Sequence, residues 1–357
     1  MRVTGKEFTR IALLFSGVLM FFAAAFAAEQ QGKFLGAKPT EYPAWFKQSF
    51  LDFNDDIREA AAHGKRLMVL FHQDGCPYCN VLVERNLAQR DIEQAIRKNF
   101  DVVAINMWGD REVASIDGKQ YTEKSFAAAL KVQFTPTILF FNEEGKMILR
   151  LNGYIPPDRF KVAIEYVAGK HEKQLAYRDY VEKNLAPGKS GDLIRQSFFA
   201  EKPYNLAQVR GKQPFALFFE QKDCPNCETL HKQVLVDTDT RDIIKNFHTV
   251  QLDMWSDTPV VGADGKQTTA RELARQLDVK YAPTIVIFNP DGKEVIRSEA
   301  FFKVFHTQGM FDYVLSGSYV KQPSFQRYLS DRAHDIQAQG KDVDIWSLAD
   351  EEKKPAK

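Results

Sequence analysis

The four cysteines of this 357-residue chain form two Cys-x-x-Cys pairs, Cys76-Pro77-Tyr78-Cys79 and Cys224-Pro225-Asn226-Cys227. Each pair closely follows a short apolar run, Leu67 to Phe71 in the first case and Phe215 to Phe219 in the second. Each is answered further along by a Pro-Thr that opens another apolar run, at Pro136-Thr137 and Pro283-Thr284. Cysteines so spaced can close a disulfide across one helical turn, and none is left over as a structural staple. Both pairs therefore read as working dithiols.

The constellation repeats. An offset of 147 carries Met107-Trp108-Gly109-Asp110 onto Met254-Trp255-Ser256-Asp257, and Asp117-Gly118-Lys119-Gln120 onto Asp264-Gly265-Lys266-Gln267. The same offset carries Pro136-Thr137 onto Pro283-Thr284, whereas the cysteine pairs match at 148, which places one indel between them and the tryptophan. Two copies mean a duplicated domain rather than a solenoid.

Within the first copy, the spacing predicts a helix from Ser49 to His63, a buried strand at Leu67 to Phe71, and a helix from the Cys76 motif into the 81–90 region. A strand at Val102 to Asn106, a helix from Glu123 to Val132, a hairpin of Thr137 to Phe141 with Lys146 to Leu151, and a helix at Pro157 to Val167 complete it. The second copy predicts the same order. Strands alternating with helices and ending in a hairpin imply an α/β fold, two tandem domains each with a central mixed sheet covered by helices on both faces. The stretch 186–191, Ala-Pro-Gly-Lys-Ser-Gly, is linker-like, so the domains are set at 40–186 and 192–320, with the segment His171 to Asn184 prolonging the first domain's last helix. A C-terminal helical extension at 321–346, including an amphipathic helix from Phe325 to Gln339, and a charged disordered tail at 347–357 follow.

Residues 1–27 read as a signal peptide. Arg2, Lys6 and Arg10 supply a basic start, Ile11 to Phe26 is almost wholly apolar, and Ala25-Phe26-Ala27 suits cleavage after Ala27. The competing reading is an uncleaved anchor, since the apolar stretch is just long enough to span a bilayer. Either way the bulk of the chain is expected to be exported. A formal net charge of +1 and the lack of a long basic run give no case for nucleic acid.

A cysteine at a helix N-terminus ionises more readily than a free one, and proline fits the first helical turn because its missing N–H has no partner there. Cys76 and Cys224 are thus expected as exposed nucleophiles, and Cys79 and Cys227, one turn inside, as buried resolving thiols. Each unit resembles thioredoxin, most closely the exported subgroup of SoxW-like proteins and the C-terminal domain of the membrane reductase DsbD. The motifs that carry this are Asp-Gly-Cys-Pro-Tyr-Cys or Asp-Cys-Pro-Asn-Cys, Met-Trp-x-Asp, Asp-Gly-Lys, and Thr-Pro-Thr or Ala-Pro-Thr, spread over roughly 45–170 and 200–320. The resemblance implies periplasmic thiol–disulfide exchange, chiefly as a reductase of protein disulfides recharged by a membrane donor of the DsbD or CcdA type. It also implies that Pro136 and Pro283 are cis and that Thr135, Pro136, Ala282 and Pro283 shape the substrate groove, with Tyr78, Asn226, Trp108 and Trp255 as candidate rim residues. No organic cofactor is implied, because the dithiols carry the electrons.

The chain departs from that pattern in places. Gly75 and Asp223 replace the tryptophan that precedes the first cysteine in thioredoxin. Leu70 and Phe218 occupy the position of its buried acid, with His72 and Glu220 nearby as substitutes. Gly153 is answered by Ala300. Alternatives stay open: an oxidase or isomerase, or a non-catalytic module that binds thiol partners or Cu(I) through soft thiolate pairs. Zinc ribbons space their pairs far more closely, and no histidine follows either motif for haem attachment. Trp108 and Trp255 otherwise read as core, His306 as a surface or capping residue, and Phe301-Phe302 as sheet core.

Overall fold

In the computed structural model, which describes residues 31–185 and 192–349, the apolar runs upstream of the cysteine pairs are the central strands of two sheets built on one plan. The expected leader, the stretch 186–191 and the last eight residues lie outside the described residues. The first unit runs β1 (Phe34–Leu35), α1 (Phe53–Ala62), β2 (Arg66–His72), α2 (Pro77–Val81), α3 (Arg90–Asn99), β3 (Phe100–Asn106), β4 (Glu112–Ala114), β5 (Gln120–Thr122) and α4 (Glu123–Ala129). It ends with β6 (Thr137–Phe141), β7 (Met147–Asn152), α5 (Pro157–Ala168) and α6 (Tyr177–Asn184). The second runs β8 (Tyr204–Asn205), β9 (Phe215–Glu220), α7 (Pro225–Gln233), α8 (Thr238–Ile244), β10 (His248–Asp253), β11 (Pro259–Val261), β12 (Gln267–Thr269) and α9 (Ala270–Gln276). After it come β13 (Thr284–Phe288), β14 (Glu294–Ser298), α10 (Val304–Leu315), α11 (Ser318–Lys321), α12 (Phe325–Ala338) and β15 (Val343–Asp344).

The strand orders β3-β2-β6-β7 and β10-β9-β13-β14 are equivalent. In each sheet the first two strands are parallel and the hairpin strands run antiparallel to their neighbours. A central strand covered on both faces has no polar side, and β2 shows why. Met68 and Leu70 share a core with Ile92 and Ile96 of α3 and Phe160 of α5. Leu67, Val69 and Phe71 share another with Phe53 of α1 and Phe126 of α4. Each unit is therefore an α/β domain with a mixed sheet between helices.

Three elements differ from expectation. The helix opened by the Cys76 motif continues as a π-helical segment, Leu82–Leu87, and α3 follows as a separate helix that the pattern did not reveal. Only Ile92 and Ile96 of α3 are buried, too sparse an apolar stripe in a charged segment to stand out. The segment from His171 does not prolong α5, because Lys170 turns left-handed (φ 56°) and breaks the helix before α6. The helix expected from Phe325 is present as α12 (Phe325–Ala338), and it has a counterpart in the first unit. Helices α5 and α10 coincide under the 147-residue offset, and α6 and α12 then follow in corresponding places.

These trailing helices lock the units together. From α6, Arg178 Nη1 donates to Val279 O (2.5 Å) and Nη2 to Met254 O (2.7 Å), and its guanidinium lies 4.6 Å from the Trp255 ring centroid. From α12, Arg327 lies over the Trp108 ring at 5.3 Å, and Gln326 Nε2 donates to Gln133 O (3.1 Å). Each unit's last helix thus clasps the other unit beside the repeated tryptophan. Equivalent residues also meet at the centre: Asn152 Nδ2 donates to Glu299 Oε2 (2.6 Å), and a side chain on Gly153 (φ +83°) would collide with Ala300 Cβ. Contacts between equivalent positions are the sign of a two-fold interface, here within one chain.

Replacing Arg178 with Ala removes the donor from two carbonyls in this clasp. We expect a loss of about 2–4 kcal/mol in urea unfolding, and only partial recovery with Arg178→Lys, which lacks the planar fork.

Candidate functional site: two dithiols facing the domain interface

Both motifs start a helix in the same way. Cys76 caps α2 and Cys224 caps α7, each followed by proline in the first turn. Cys76 Sγ accepts from Cys79 N–H and Cys224 Sγ from Cys227 N–H, both at 3.1 Å. Both pairs are disulfides, with Cα–Cα distances of 5.3 and 5.2 Å. On reduction the same backbone donors and the helix end favour negative charge on the capping sulfur.

The Thr135–Pro136 and Ala282–Pro283 peptides are cis. Thr135 Oγ1 donates to Cys76 Sγ at 3.3 Å, and Thr135 O lies 3.5 Å from that sulfur. Ala282 brings no hydroxyl to the second pair. The tryptophans act on the loop before each motif, Trp108 Nε1 donating to Gln73 Oε1 (2.9 Å) and Trp255 Nε1 to Gln221 Oε1 (3.2 Å). Asp74 and Asp223 are exposed.

The expected exposed nucleophiles are not exposed. Cys76 is 2% accessible and Cys224 5%, hardly more than Cys79 and Cys227. The cause is the interface, since each motif faces the segment that follows the other unit's hairpin. At the first pair, Tyr78 is buried rather than on a rim. Its ring packs on Phe302, His306 and Trp346 at 5.7, 5.3 and 4.8 Å, and its hydroxyl accepts from Lys303 N–H at 2.9 Å. Burial pushes the Tyr78 hydroxyl above its usual range. Phe302 also packs on Phe134 and lies in one buried cluster with Phe218 and Ile285 of the second sheet, so it joins that sheet's core to the interface. His306 is likewise no surface residue. Burial, aided by Arg332, pushes its imidazole down to about 4, which keeps it neutral at pH 7.

The second pair is more open. Asn226 stands where Tyr78 stands, and Pro156 stands where Lys303 stands, so the matching backbone donor does not exist. Asn226 is half-buried, Pro225 is exposed, and a cleft of about 370 Å³ lined by Asp158, Arg159 and Asp223 reaches Cys224.

Behind the second pair lies a polar group that sequence reasoning saw only in part. His231 Nε2 is 2.9 Å from both Glu220 oxygens, Gln251 Nε2 donates to Glu220 Oε2 (3.1 Å), and the Gln196 amide reaches His231 Nδ1 (3.2 Å). Glu220 and His231 are both buried. His231 sits one helical turn beyond Cys227 on the same face, and that spacing was the signal available. The corresponding first-unit positions are His72, Val83 and Ala104, with no such pair. Among the described residues, no group of three or more His, Cys, Asp or Glu side chains is arranged to hold a metal ion.

The difference in cover has a direct readout. After reduction, a polymer-linked maleimide should modify Cys224 at least about tenfold faster than Cys76, since reaching Cys76 requires local opening. Tyr78→Ala should bring the two rates together and lower stability by about 3–5 kcal/mol; equal rates in the parent chain would show that the cover is absent.

A family model for the thioredoxin-like domain matches residues 53–168 and 201–308, well over half of the chain. No curated protein matches it. Among solved structures, a thioredoxin-fold protein from Helicobacter pylori is 22% identical, covering 34% of this chain and 81% of its own, with a TM-score of 0.30. A thioredoxin from Thermus thermophilus is 23% identical (39% of this chain, 89% of its own, TM-score 0.26). The oxidised C-terminal domain of DsbD from Neisseria meningitidis is 16% identical (33% and 88%, TM-score 0.24). With two matched regions, each holding one Cys-Pro-x-Cys helix cap, the chain belongs to the thioredoxin-like domain family.

Proposed function

We propose that this chain is an exported thiol–disulfide oxidoreductase of the SoxW-like and DsbD C-terminal-domain type, working as a protein-disulfide reductase. The observation that carries the reading is the pair of helix-capping disulfides, each with its capping sulfur hydrogen-bonded to the N–H of its partner cysteine. That arrangement supplies an ionisable nucleophile and a second thiol to release it. In the reduced state the Cys224 thiolate attacks one sulfur of a substrate disulfide and expels the other as a thiolate, which takes up a proton. Cys227, deprotonated, then attacks Cys224 Sγ, restores the internal disulfide and releases the second substrate thiol. Two electrons pass from dithiol to substrate, and the dithiols need no organic cofactor. A membrane thiol donor of the DsbD or CcdA type would recharge the pairs after cleavage of the leader behind Ala27. The second pair is the one that meets protein substrates, because its cleft opens to solvent.

Cys227→Ser should trap mixed disulfides between Cys224 and exported proteins, visible on non-reducing gels and lost in Cys224→Ser. Each pair, with the other changed to serine, should equilibrate with glutathione near about −270 mV; values toward about −120 mV would instead make the protein an oxidant.

A further inference from the structure

A cleft of about 800 Å³ lies between the loop before Cys76, the repeated tryptophan of the first unit, and α12. Beside it is a slot of about 40 Å³ that touches Cys76 and Thr135. Gln73, Gly75, His306, Gln326 and Ile345 line both, so the slot adjoins the cleft. The size of the wide part is that of a small-molecule site. The slot holds a few waters at most, which admits a thiol-bearing tip and refuses a loop of a folded protein.

The lining is chemically specific. Asp74 stands beside the motif, and the Arg327 guanidinium, exposed over Trp108, has no carboxylate partner among the described residues. His306 Nδ1 is sealed from solvent with no hydrogen-bond partner, although its ring borders the slot. An orphaned polar atom at the end of a cleft with one free anion and one free cation points to a missing polar ligand.

We propose that the first dithiol exchanges with a low-molecular-weight peptide thiol that carries both amine and carboxylate groups and enters through this cleft. The inference rests on the oxidoreductase reading above and assigns the first pair its substrate class. The ligand thiolate attacks Sγ of Cys76, the cysteine that lines the slot; a ligand–Cys76 disulfide forms, the Cys76–Cys79 bond breaks, and Cys79 leaves as a thiolate that takes a proton. A second ligand thiolate attacks the ligand sulfur of that mixed disulfide, which frees Cys76 and yields the oxidised ligand dimer. Two ligand thiols are oxidised and one protein disulfide is reduced. Arg327 holds the carboxylate, Asp74 the amine, and His306 Nδ1 a polar atom near the sulfur.

The test uses the full chain with Cys224→Ser and Cys227→Ser, oxidised at the first pair. Glutathione, 2-mercaptoethanol and a reduced bacterial thioredoxin serve as reductants at equal thiol concentration, and the product is read by alkylation and intact mass. Glutathione should reduce the pair at least about tenfold faster than thioredoxin, and Arg327→Glu, which also loosens the contact with Trp108, should slow glutathione by about tenfold relative to its effect on 2-mercaptoethanol. The proposal is overturned if thioredoxin matches glutathione, or if Arg327→Glu slows both small thiols alike or neither. Insulin reduction by a Cys76→Ser, Cys79→Ser chain separates the two failures. If it persists, only the small-thiol assignment falls; if neither pair exchanges with any thiol, the oxidoreductase reading falls as well.

Discussion

The clasp of each repeat's last helix on the other repeat is the contact from which the rest follows. Arg178 reaching Met254 O and Val279 O, and Arg327 over Trp108, hold the two repeats together around Asn152–Gly153 and Glu299–Ala300, at the ends of the edge strands β7 and β14. Once those centres meet, each Cys-x-x-Cys helix end faces the segment after the other repeat's hairpin, in close contact at the first pair and across an open cleft at the second. Burial of the capping sulfurs of Cys76 and Cys224 is thus a result of packing between the repeats, whereas Cys79 and Cys227 lie one turn inside their own helices. The planar fork of Arg178 meets its two carbonyls through Nη1 and Nη2 only in one geometry, so the clasp sets relative orientation as well as stability.

Duplication lets two copies of one site diverge while the scaffold stays constant. At the first pair, Thr135 brings a hydroxyl to the sulfur and Tyr78 is pinned by the Lys303 N–H. At the second, alanine replaces the threonine, Asn226 the tyrosine and Pro156 the lysine, and a buried carboxylate–imidazole pair stands behind the resolving cysteine. The consequences run in opposite directions. One pair gains cover and a direct sulfur contact; the other gains solvent access and the buried Glu220–His231 pair nearby.

Much of this was legible before any coordinates. The apolar runs, the 147-residue offset, the Pro-Thr strand starts and the position of both motifs at helix caps all follow from local patterning, and local patterning decides strand and helix order. What escaped depends on contacts between distant segments. Tyr78 looked like a rim residue because nothing in Cys-Pro-Tyr-Cys refers to Phe302, and His306 looked like a surface residue because its neighbours Tyr78 and Arg332 lie far away in sequence. The kinship of α6 and α12 was hidden by the indifference of trailing helices to residue identity. Helix α12 needed only Phe325, Tyr328, Leu329 and Ala333 inward, a pattern that many amphipathic helices share.

The reciprocal clasp also changes what one backbone cut can do. In an ordinary tandem protein, nicking the connection between the repeats releases two independent domains. Here the first repeat's α6 remains seated on the second, and α12 remains seated on the first beside the parallel pairing of Phe34–Leu35 with Val343–Asp344. Fragments cut there would still share both clasps and the β1–β15 pairing, so the two repeats are joined by contacts as well as by the backbone.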